Sequence, residues 1–179
     1  MAEELPISVC RVRTSDGWKD YVTCVHHQTA FARGLTPEAI IGVLLRPMDE
    51  VAAITPEVFA RNRVFVDFLH GVIARRGPGL PGLVAEARRQ GEGVVYVIDQ
   101  RTRTPQGRIP PEDIIGAFAV QRGQVVPASY QRCPQHLILS ADGFFQLGAE
   151  LQACLLDELA SLPETPDQAL RIVGASRRD

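Results

Sequence analysis

Apolar positions along the chain repeat at two periods, and the two periods occupy different stretches. Residues 7–13 and 20–26 are rich in β-branched side chains and enclose the turn signal Ser15-Asp16-Gly17, so they predict a hairpin. Val94-Val95-Tyr96-Val97-Ile98 is apolar without interruption. That is the pattern of a strand covered on both faces, and it is expected at the centre of a sheet. Residues 114–121 and 124–129 flank a second turn at Arg122-Gly123, and 136–140 predicts a further strand closed by Ala141-Asp142-Gly143.

Helical spacing takes over elsewhere. Val58, Phe65, Leu69, Val72 and Ile73 fall on one face of a helix predicted over 56–75, with Arg63 and Asp67 opposite. Thr55-Pro56-Glu57 supplies its capping hydroxyl, first-turn proline and acidic residue, and Arg75-Arg76-Gly77-Pro78 its end. A shorter helix is predicted over 80–89. Leu147, Leu151, Cys154, Leu155, Leu159 and Leu162 define a stripe over 146–162. Thr36-Pro37-Glu38 repeats the start signal and predicts a short helix over 37–45.

Strands therefore group at 7–26 and 94–140, and helices at 36–90 and near the end. Such segregation predicts an α+β fold with a mainly antiparallel sheet. No stretch reads as a linker, so one globular domain over 1–179 is expected, with 163–179 a loosely attached tail.

One sequence feature cuts across this scheme. PEAIIGVL from Pro37 and PEDIIGAF from Pro111 share five of eight residues. Their surroundings differ: Val43-Leu44-Leu45 suits a helix, whereas Ala117-Phe118-Ala119-Val120 leads into a strand and turn. Shared turn chemistry, with each octet adopting its own structure, is the expectation.

Composition narrows the partners. With 19 basic and 21 acidic residues the net charge is −2, and no block of either sign occurs. A nucleic-acid ligand is not expected, because phosphate neutralisation needs a concentrated basic face. Aromatic residues, 6% of the chain, do not interleave with arginine to form a base-stacking platform. No apolar run is long enough to cross a bilayer, so no membrane is expected. The acidic Met-Ala-Glu-Glu-Leu start is unlike an export signal, which points to the cytoplasm and to reduced Cys10, Cys24, Cys133 and Cys154. Lys19 is the only lysine, which confines any lysine chemistry to that position.

Candidate chemistry concentrates in the polar segment Asp99 to Pro111, with Asp99, Arg101, Arg103, Gln106 and Arg108 followed by Glu112 and Asp113. It leaves a strand on which a loop can be held firmly, and arginine presents planar, bidentate contacts to anions. Asn62 lies within about 40° of Val58 on the helical wheel, so its amide must find partners or line a pocket. His70 flanks the same face. Cys24-Val25-His26-His27 and Cys133-Pro134-Gln135-His136 would suit a tetrahedral zinc site only with the strands side by side, and alternation sends Cys24 and His26 to one face and His27 to the other. Asp99, Glu112 and Asp113 lack a recognisable metal-loop spacing. No metal and no cofactor are expected.

The reading drawn from these residues is a non-enzymatic binding, interaction or regulatory module. Its binding set is Asp99, Arg101, Arg103, Arg108, Glu112 and Asp113, with Asn62 and His70, and its partner is a protein or a small anionic ligand; a homodimer is left open. The competing class is a small hydrolase or transferase using the same loop with Asn62, His70 or a Cys133/His136 thiol–imidazole pair.

Overall fold

The computed structural model describes residues 4–48, 50–101 and 107–163. Arg103, Gln106 and the tail from 164 lie outside them. Helices combine with antiparallel sheets in an α+β fold, and the chain divides into two compact units, Leu5–Phe68 with Leu156–Asp179 and Met1–Glu4 with Leu69–Leu155.

In the Leu5–Phe68 unit, β1 (Ser8–Thr14) and β2 (Gly17–Thr23) form the expected hairpin, closed by Thr14 Oγ1 donating to Gly17 O at 2.8 Å. After α1 (His27–Arg33) come β3 (Ile40–Leu44) and β4 (Phe59–Arg61), and the sheet runs β1-β2-β3-β4. Cys10, Val12, Val22 and Ile41 are wholly buried. The helix α2 (Arg63–Arg76) carries the chain into the other unit.

In the Leu69–Leu155 unit, α3 (Pro81–Gln90) precedes β5 (Gly93–Ile98) and β6 (Ile114–Gln121). β6 pairs with β5 on one side and with β7 (Gln124–Val125) and β8 (Gln131–Arg132) on the other. A two-stranded piece, β9 (Leu139–Ser140) with β10 (Gly143–Phe144), and then α4 (Ala149–Ala160) follow. Arg122 and Gly123 both take positive φ, 51° and 72°, in the tight β6–β7 turn that the right-handed twist of a hairpin favours.

Four expectations are corrected. β5 is an edge strand, with Val94 43% and Tyr96 53% exposed, and β6 holds the centre. An apolar run records the absence of charge, whereas the central place goes to the strand that finds partners along both edges. Residues 37–45 are not a helix: Pro37–Ala39 makes one 3-10 turn and Ile40-Ile41-Gly42 enters β3, as β-branched residues and glycine favour helix poorly. The 56–75 helix starts only at Arg63, because Pro56–Val58 is again a single turn and Phe59–Arg61 pairs with β3. The strands expected at 124–129 and 136–140 shrink to two residues each, β7 and β9.

The two octets share one structure, against expectation. Each forms a 3-10 turn at Pro-Glu-x and a strand from the first isoleucine. Each glycine is followed in the ladder by a register shift, Gly42 standing opposite Val22 and Gly116 opposite Val97, and the octet's second isoleucine is the extra residue of the bulge. A side chain on either glycine would strike an aromatic ring on its other side, Phe59 of β4 for Gly42 and Tyr130, just before β8, for Gly116. The residue after that strand, Asn62 or Cys133, donates its N–H to the second isoleucine, to Ile41 O at 2.8 Å and to Ile115 O at 2.9 Å. Its side chain turns to the octet's proline, Asn62 Nδ2 to Pro37 O at 2.8 Å and Cys133 Sγ to Pro111 O at 3.7 Å. The matched feature is thus a turn, a bulged strand pair and a closing residue, each built by its own unit.

Candidate functional site

The loop that leaves β5 is rooted in a buried charged cluster. Asp99 follows the register shift between β5 and β6, and its N–H donates to Asp113 O at 2.7 Å, so the two carboxylate residues stand across the ladder from each other. Asp99 is wholly buried. Its Oδ1 accepts from the N–H of Arg101 at 3.1 Å and of Gln146 at 2.9 Å, and its Oδ2 lies 2.9 Å from His136 Nε2 and 3.0 Å from Arg101 Nη2. A carboxylate withdrawn from water needs about this many partners to offset its desolvation.

Arg101 is the hub. Its side chain is 2% exposed and lies 3.2 Å from Asp113 Oδ1 as well as against Asp99. Nη1 donates to Ser140 Oγ at 3.0 Å and Gly143 O at 2.8 Å; Nη2 donates to Glu112 O at 3.2 Å and Leu137 O at 2.7 Å. Four acceptors from the β9–β10 region and from the far end of the loop are thereby held by one planar group, a task the fixed fork of donors suits and an ammonium does not. Because Arg101 also reaches Glu112 O, the guanidinium ties together the two points of the chain that flank residues 102–111.

The predicted binding residues separate into distinct places. Asp99, Arg101 and Asp113 converge in this cluster and turn inward. Glu112 contributes its carbonyl to it and has a half-buried side chain, while Arg108 is exposed. Arg103 lies outside the described residues. Asn62 is not on a helix face: it precedes α2, its Oδ1 accepts from Val64 N–H at 3.2 Å, and its Nδ2 donates to Pro37 O and Ile40 O, both at 2.8 Å. The wheel placed it among apolar residues because it took the helix to begin at 56. His70 is 5% exposed and shares a hydrogen bond of 2.6 Å with Tyr130 Oη, and burial pushes the Tyr130 hydroxyl well above its ordinary value, with Arg132 opposing weakly.

Sequence reading missed the cluster's other members, His136 in its part beside Asp99 and Ser140 beneath Arg101. The aspartate-x-arginine spacing at a strand end was visible, but three of its four acceptors lie 36 to 42 residues further on. The thiol of Cys133 reaches Pro111 O and His136 Nε2 reaches Asp99, so each has its own partner. Burial pushes the Cys24 thiol up to about 12, only partly offset by a backbone hydrogen bond, and raises Cys10 as well. Among the described residues no group of three or more His, Cys, Asp or Glu could hold a metal ion, and no helix is long and apolar enough to cross a membrane. Compared with protein-family models, curated proteins and solved structures, the chain matches none.

Proposed function

We propose that the chain is a non-enzymatic binding module of the cytoplasm that engages an anionic partner, a protein or a small ligand, through the outer part of the 99–113 loop. The supporting observation is the Arg101 clamp, which ties the chain on both sides of the polar segment 102–111 to a buried base. A loop restrained at its base loses less conformational freedom when its outer residues are captured, which favours binding. In this reading Asp99, Arg101 and Asp113 hold the loop, and Arg103 and the exposed Arg108 meet the partner with planar, charge-assisted hydrogen bonds.

Calorimetric titration with two probes, a poly-glutamate peptide and inorganic pyrophosphate, tests it. The wild-type chain should bind at least one of them with an affinity that falls as salt rises. Arg103→Glu with Arg108→Glu should weaken that binding at least about tenfold, at roughly 1.4 kcal/mol per decade, while Tm stays nearly unchanged. Failure to bind either probe, or equal binding by the variant, would refute the reading.

A further inference from the structure

β5 is left in a position that its sequence does not suit. Odd-numbered residues of β6 face β7 and β8: Ala119 O accepts from Val126 N–H, Ala119 N–H donates to Ser129 Oγ, and Ile115 O accepts from Cys133 N–H. Gly116, Phe118 and Val120 therefore face β5, where Val97, Val95 and Gly93 stand opposite them. Alternation directs the N–H and C=O groups of Val94 and Tyr96 the other way, toward an edge that carries no strand among the described residues. The same two residues have the exposed side chains, so backbone donors, backbone acceptors and apolar surface coincide.

Native edges are usually blunted by charge, proline or a bulge within the strand. Residues 93–98 contain no charge and no proline, and the bulge opposite Val97 and Ile98 has its extra residue, Ile115, in β6 rather than in β5. A cavity of about 520 Å³ borders it, lined by the consecutive residues Tyr96, Val97 and Ile98 and by Leu80, Leu83 and Leu151.

We propose that the occupant is a second copy of the chain, with β5 pairing antiparallel to β5 about a twofold axis at Val95. The edge is complementary to itself: its outward-facing residues lie two apart, so the axis places Val94 opposite Tyr96 of the other copy, and Tyr96 opposite its Val94. Each is a hydrogen-bonded pair exchanging both N–H···O bonds, and each sets an aromatic ring against a β-branched side chain, a favourable cross-strand combination. No like charges meet within the paired residues 94–96. An isologous contact of this kind closes at two copies. The proposal shares no residue with the loop reading and stands or falls separately.

Sedimentation equilibrium of the full chain from about 1 to about 100 μM, the range in which a micromolar self-association is seen, provides the test. The wild-type chain should show a monomer–dimer equilibrium. Val94→Lys with Tyr96→Lys, both at exposed positions, should raise Kd at least about 100-fold by setting lysine against lysine at each pair. Val94→Lys with Tyr96→Glu sets lysine against glutamate at each pair and should return Kd to within about tenfold of the wild type, with new sensitivity to salt. A wild-type chain that stays monomeric, a double-lysine variant that dimerises like the wild type, or a lysine–glutamate variant that stays apart would each overturn the proposal.

Discussion

The two units build the same turn, bulge and strand pair and fill it in opposite ways. Opposite the octet's first isoleucine, after the bulge, stand Thr23 in one unit and Ile98 in the other, followed by Cys24 and Asp99. The third octet residue is Ala39 in one and Asp113 in the other. One change of pair, Cys24 and Ala39 for Asp99 and Asp113, separates an apolar setting from a charged one. Around Cys24 lies a cavity of about 220 Å³ whose lining includes Ala39, Leu156 and Leu159, whereas around Asp99 the space is taken by Arg101, His136 and bonded carbonyls. Backbone geometry at this place is thus compatible with either chemistry. What differs is the consequence, since the charged version binds a loop to the strand end and the apolar version does not.

The largest test of that contrast removes the hub. Arg101→Ala should cost about 3–5 kcal/mol in chemical denaturation, because it leaves Asp99, Asp113 and four acceptors without their shared donor in a buried setting. A loss below about 1 kcal/mol, the size of an exposed ion pair, would show that the cluster does not hold the loop.

An intermediate effect tests the likeness instead. Gly42→Ala and Gly116→Ala should each destabilise by about 1–3 kcal/mol, since the new methyl group collides with the Phe59 ring in one unit and comes within 2.5 Å of the Tyr130 ring in the other. Gly42→Ala should be the worse, as its methyl group also meets Ala60 O at 2.5 Å, and a strand backbone yields less readily than a ring. If one substitution is tolerated and the other is not, the two strand pairs are alike in outline only.

The smallest effect is one of pH. Cys24 takes the place of Asp99, and its folded-state value near 12 stands above the ordinary thiol value of about 8.5. A raised folded value means that its contribution to stability is complete below about 8.5 and declines as pH rises from there toward 12. Thermal melts between pH 8 and pH 11 should therefore fall less steeply in Cys24→Ala than in the wild type, and native Cys24 should resist iodoacetamide at pH 8. Equal slopes would mean that its burial is not maintained in solution.

Much of the fold was legible because its signals are local. The β1–β2 hairpin, the Arg122-Gly123 turn, the short helix α3 and the stripe of α4 depend on alternation, turn residues and helical spacing within a few positions. The Thr-Pro-Glu starts were read correctly as starts but not as single turns, since nothing nearby says how far a 3-10 turn continues. Whether Ile40-Ile41 goes on as helix depends on β2 being available for pairing. The candidate site was legible in half: aspartates and arginines clustered around one loop were evident, while their inward direction was not. Direction follows from acceptors at Leu137, Ser140 and Gly143, which lie beyond β6, β7 and β8 in the chain.

The order of residues by itself determined an α+β chain of antiparallel strands, the location of its charged loop and the repetition of Pro-Glu-x-Ile-Ile-Gly, because propensity, periodicity and turn chemistry act over short distances. Tertiary structure alone decided that β6 and not β5 is central, that both octets fold alike, and that Arg101 points inward. Each of those outcomes is a choice among partners far apart in the chain, and hydrogen-bonding groups and buried charges are satisfied by whichever partners folding brings within reach.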